Sequence, residues 1–199
     1  MLTSIKQRID REDEGFTLIE LMVVLLIIAI LLAIAIPTFL GARNTANARS
    51  SQENLRNALT AEQSNWTSNQ SFDTALSTLE PSLSWVTANL TAATDKGAKE
   101  VSVGLYTATV ASGAITAWGA GTSTTADGVV LVAWAKDNNC YAIFQSNNAS
   151  ADFTAYSKWS SGGTGCTDPT ASFPFSNPTA AGPTTVPATY AAGQWYTSF

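Results

Sequence analysis

Residues 1–15 are mainly polar, with Lys6, Arg8 and Arg11 set against Asp10, Glu12, Asp13 and Glu14. Residues 21–36 are then apolar without exception, and between Phe16 and Ala42 the one charged side chain is Glu20. At about 1.5 Å per residue, residues 16–36 form a helix of about 30 Å, long enough to cross the hydrocarbon of a bilayer. Basic residues just ahead of such a span hold that end in the cytoplasm. Pro37 follows in the same run. A proline inside a helix removes a hydrogen bond and clashes with the preceding turn, so a kink is expected there, with Gly41 loosening the turn after it. Residues 42–66 contain neither Pro nor Gly. Ala48, Leu55, Leu59 and Trp66 recur at helical spacing with Ala58 beside them, which makes one apolar stripe. Arg49, Glu53 and Arg56 fall on other faces. Residues 16–69 therefore read as one helix of about 80 Å, apolar all round at first and one-sided afterwards.

Beyond residue 70 the period changes. Residues 70–98 read as a connector. Within it residues 72–80 suit a short helix stopped by Pro81, Leu83, Trp85 and Val86 suit docking on the long helix, and Thr94 to Gly97 suit a turn. Val101, Val103 and Leu105 alternate with polar residues, the period of a half-buried strand, which runs on to Val110. Residues 114–118 are its return strand after a turn at Ser112-Gly113. Residues 119–128 form a loop rich in Gly, Ser and Thr. Residues 129–135 are a β-branched and aromatic run and the clearest strand of all. Lys136-Asp137-Asn138-Asn139 makes a hairpin turn into a partner strand at residues 140–144. The expected architecture is α+β: about four antiparallel strands covered by the apolar stripe of the long N-terminal helix. Tyr156 and Trp159 are expected to pack. The tail, residues 167–199, holds Pro169, Pro174, Pro178, Pro183 and Pro187 with aromatic residues between them, and is expected to be extended and partly pinned to the head by those aromatics, a fully disordered tail being the alternative.

The junction Gly15-Phe16-Thr17-Leu18-Ile19-Glu20, followed by the apolar run, resembles the class III signal of type IV prepilins. That pattern is a short charged leader ending in Gly, then Phe or Met, then Thr-Leu-Ile-Glu, then a bilayer-length apolar segment. The close resemblance covers residues 10–60 or so; beyond them it rests on layout. It implies a leader, residues 1–15, removed by a prepilin peptidase between Gly15 and Phe16, and a methylated N-terminus at Phe16. It implies that residues 16–36 serve first as a transmembrane anchor and then as filament core. It gives Glu20 a role in assembly, pairing with the Phe16 amine of a neighbouring subunit, and makes Pro37 the place where the helix bends or unwinds. The implied partners are the membrane, further copies in a helical filament, and an assembly ATPase with its platform protein. The precursor would sit in the cytoplasmic membrane and end in a pilus at the cell surface. A pseudopilin of a type II secretion system, or a minor tip pilin, shares the same N-terminal motif.

Composition narrows the remaining classes. Charged residues make up 13% of the chain, against about 25% in an ordinary domain. The net charge of −5 gives a nucleic-acid partner no support. There is no histidine, which removes the commonest general base and metal ligand. No catalytic constellation and no cofactor or metal motif is present, so no enzyme is expected. Asp137, Asn138 and Asn139 lack the downstream glutamate of a calcium loop and read as a turn. The Asn-x-Ser/Thr matches at Asn65, Asn69, Asn89 and Asn148 are expected by chance in so Ser- and Thr-rich a chain. Cys140 and Cys166 are the two cysteines. In an exported chain such a pair reads as one disulfide, and it resembles the cysteine-bounded region of many pilins, here with a tail beyond it. A membrane-anchored enzyme or binding domain that merely looks like a prepilin is the third class.

Overall fold

A computed structural model describes residues 15–74, 76–87, 90, 97, 99–111, 114–149, 151–163, 165–166 and 195. The chain divides into two compact units, Met1–Arg43 and Asn44–Phe199.

The first element, α1 (Leu18–Asn69), is a single helix of 52 residues, within two residues of the sequence expectation at its start. Gln70 ends it in the left-handed conformation, φ 56°, with its N–H on the Trp66 carbonyl at 2.7 Å. This is the αL stop usually made by glycine. The Asn65 amide then holds the Ser71 carbonyl at 2.9 Å and turns the chain back along the helix.

Six strands follow: β1 (Ser84–Val86), β2 (Glu100–Ala111), β3 (Ala114–Ala120), β4 (Gly128–Trp134), β5 (Asn139–Asn148) and β6 (Ala151–Ser160). They form one sheet in the order β1-β2-β4-β5-β6, with β3 paired to β2. Tyr106 pairs with Ala120 of β3 and Gly128 of β4, and Ser102 with Val86 of β1 and Val132 of β4. Hence β1 and β3 share one edge of β2, end to end, and β4 takes the other. All pairings are antiparallel except β1 with β2.

Every residue of β4 is buried. Side chains alternate across a strand, so the strand feeds two cores. Val129, Leu131 and Ala133 join Tyr141 and Ile143 of β5 on the side covered by Leu55 and Ala58 of α1. Val130, Val132 and Trp134 join Cys140, Ala142 and Phe144 on the opposite side, which Leu90, Cys166 and Trp195 cover. The β4–β5 turn has Asn138 at φ 65°. Asp137 accepts from the Asn139 backbone and side chain and from the Tyr141 hydroxyl, at 3.0, 2.8 and 3.1 Å, so both its oxygens are occupied within the turn.

The helical stripe, the β2–β3 and β4–β5 hairpins and the α+β class agree with the sequence reading. Four features differ. Residues 76–80 make only one turn, with the Leu79 and Glu80 N–H groups on the Leu76 carbonyl, because the strand at Ser84 starts too soon for a helix. The sheet is mixed, since the connector adds β1 in parallel. It also gains β6, whose alternation was hidden by its many small polar residues. Finally, Leu83 and Trp85 reach the core under α1, whereas Val86 packs on the other side, as neighbours in a strand must. The expected leader up to Glu14, the Ser112-Gly113 turn, most of the turn before Gly97 and all of the tail but Trp195 lie outside the described residues.

Candidate functional site

The N-terminal end of α1 is built by a short local code. Thr17 is the N-cap: its hydroxyl accepts the Glu20 N–H at 3.2 Å. In return Glu20 Oε2 accepts the Thr17 N–H at 3.2 Å and the Thr17 hydroxyl proton at 3.0 Å. Two otherwise orphaned N–H groups are satisfied reciprocally, the arrangement known as a capping box. A carboxylate at this end also meets the positive pole of the helix dipole. The signal for it, Thr-x-x-Glu before an apolar run, is present in the sequence; Thr17 is the residue the sequence reading left without a role.

From Leu18 to Leu40 the large apolar side chains stand exposed. Leu18, Ile19, Met22, Leu25, Ile28, Leu32, Ile36 and Leu40 are all exposed, on every face of the helix. Among the described residues this is one helix long and apolar enough to cross a membrane. Exposed apolar surface of this extent marks contact with lipid or protein. Pro37 lies inside α1. Next to it the Thr38 hydroxyl donates to the Ile34 and Ala35 carbonyls, at 3.1 and 2.9 Å, in the turn where the proline ring supplies no N–H.

Gly15, just ahead of the cap, stands in open space: a Cβ there would meet nothing within 4 Å. Its lack of a side chain therefore answers no demand of the fold. At the other end of the chain Cys140 on β5 and Cys166 are joined in a disulfide, 26 residues apart, with Cα atoms 5.6 Å from one another. Among the described residues no three His, Cys, Asp or Glu side chains gather where they would hold a metal ion.

The prokaryotic N-terminal methylation motif, the class III signal peptide of type IV pilins, matches residues 11–36. No curated protein and no solved structure is significantly similar to the chain. The motif covers the charged end of the leader, Gly15 to Glu20 and the apolar segment. It supports a pilin-like or pseudopilin precursor whose N-terminal helix suits membrane anchoring, and a structural protein over an enzyme.

Proposed function

We propose that the chain is the precursor of a type IV pilin, a structural subunit held in the cytoplasmic membrane by α1 and then polymerised into a surface filament. The observation that carries this reading is the first half of α1, apolar and exposed on every face, opening on a capped carboxylate one turn past a glycine the fold does not require. A prepilin peptidase cuts between Gly15 and Phe16, because backbone access at the membrane surface is easiest beside a residue with no side chain. Phe16 then becomes the methylated N-terminus. The new amine and Glu20 lie in the same apolar band, where a lone charge costs at least about 2.5–3.5 kcal/mol. Glu20 pairs with the Phe16 amine of a neighbouring copy, and a misplaced neighbour leaves both charges unpaired, which sets the axial register. The helix bends at Pro37 as subunits pack. The assembly ATPase and platform protein of such systems drive polymerisation.

The experiment is to shear cells, image the released material and identify it by mass spectrometry. Long filaments composed of this chain, beginning at N-methylated Phe16, are expected. Protein found only in the membrane with residues 1–15 attached would overturn the reading. Processed protein in short stubs that form with a working secretion system would place it with the pseudopilins instead.

A further inference from the structure

The buried side of α1 carries one ionisable group, Glu62, which filament assembly does not use. It is fully buried, on a stripe with Leu55, Ala58, Ala61 and Asn65. Its Oε2 accepts the backbone N–H of Asp73 at 3.2 Å, across the turn that follows the helix. Its Oε1 is buried with no hydrogen-bond partner. The same stretch is held to α1 by the Asn65 bond to the Ser71 carbonyl and by Phe72, whose ring lies 4.7 Å from that of Trp66.

Among the described residues the surroundings offer no cation. On α1 the nearest residues of the stripe, Ala58, Ala61 and Asn65, are uncharged. From the connector the Asp73 carboxylate faces Glu62. Glu80, which lies along α1 beside Ala61 and Ser64, turns its carboxylate to the Ser82 N–H and hydroxyl. From the sheet the residues of this core, Val101, Val103, Val129 and Leu131, are apolar. Ionised, Glu62 would be a charge out of water with a second negative charge beside it. Burial pushes its carboxyl up to about 8 from an ordinary 4.5; the Asp73 N–H pulls the other way and the Asp73 charge adds to the rise.

We propose that Glu62 is a proton-dependent latch: as a carboxylic acid it fastens Phe72 and Asp73 against α1, and in its ionised form it lets this stretch of the connector go. Below about pH 4.5 the held and freed states are both protonated, and the latch is at full strength. From there to about pH 8 the freed side chain has lost a proton that the held one keeps. Over that window the freed-to-held ratio grows about tenfold per pH unit, and above it the growth stops.

The test is amide hydrogen exchange on the full processed chain in detergent, read as the protection factor at Asp73, whose N–H bonds Glu62. Between pH 6 and pH 8 the wild type is expected to lose protection about 50-fold, and Glu62→Gln, which stays neutral, no more than about threefold. Equal protection at the two pH values in the wild type, or a parallel fall in Glu62→Gln, overturns the proposal. If Glu62→Gln fails to fold, the Glu62 carboxyl resonance of the wild type decides: a midpoint near 8 supports the latch and one near 4.5 removes it.

Discussion

Two glycines show how differently one residue type can be constrained. Gly97 has φ +69°, donates its N–H to the Trp134 carbonyl at 2.6 Å, and leaves no room for a Cβ, which would stand 2.2 Å from Lys136 Cγ. Gly97→Ala should cost about 1–2 kcal/mol through the left-handed backbone alone, with the clash in addition. Adding Lys136→Ala should recover the clash and leave the backbone cost, so denaturant melts of the single and double variants should be non-additive. Gly15 meets nothing, so a bulky replacement there should not disturb folding at all. It should leave uncut precursor in the membrane, visible as a larger band on an immunoblot. Glu20 caps the helix locally, and in the proposed filament it has an intermolecular role as well. Glu20→Gln keeps the reciprocal bonds to Thr17, whereas Glu20→Leu loses them and the charge together. Both variants should insert and be cleaved but enter filaments poorly, because only the charge can pair with a neighbouring amine. Normal filament numbers from the Gln variant would show that the cap, not the charge, is what assembly needs.

Among the elements β5 carries the most. It sits between β4 and β6, supplies Tyr141 and Ile143 to one core and Cys140, Ala142 and Phe144 to the other, and anchors the disulfide. Closing a loop across 26 residues is worth about 3 kcal/mol in the chain-entropy account. The double variant Cys140→Ser/Cys166→Ser should therefore melt roughly 6–12 °C lower by calorimetry. Trp195 does for the second face what Leu55 does for the first. It is 6% exposed and meets Phe144 edge-on at 6.1 Å. Trp195→Ala should cost about 3–5 kcal/mol and raise binding of an apolar dye, since it uncovers Val130, Val132 and Phe144. The period-2 pattern showed that strands existed here, but β4 reads as one unbroken apolar run, which does not say what covers each face. Trp195 lies 29 positions beyond Cys166, too far along the chain for any local pattern to link it to the sheet.

For the molecule as a whole, the division into residues 1–43 and 44–199 separates two kinds of stability. The second unit has its own two-sided core. Among the described residues of the first, no apolar side chain is buried. A chain lacking residues 1–43 should accordingly be soluble, fold, and elute as a monomer with unchanged strand content by circular dichroism, whereas the full chain should need lipid or detergent. Aggregation of the shortened chain would mean that the apolar stripe beyond Asn44 is not fully covered by the sheet. Its stability should also fall as pH rises from about 4.5 to about 8, because the folded state keeps the Glu62 proton that the unfolded state loses.

What the sequence by itself determined is what depends on neighbours along the chain: the bilayer-length helix, its glycine, cap and carboxylate, the amphipathic stripe and the two hairpins. Each follows from a short period or a motif of a few residues. Only the tertiary structure decided what depends on distant residues meeting. It brought β1 alongside β2 in parallel, drew β6 onto β5, and set Trp195 and Cys166 over the second face of the sheet. It also closed Glu62 off from water: on a helical wheel that residue already falls in the apolar stripe, with Leu55, Ala58, Leu59 and Trp66 around it, and the return of Phe72 and Asp73 across the end of α1 covers it.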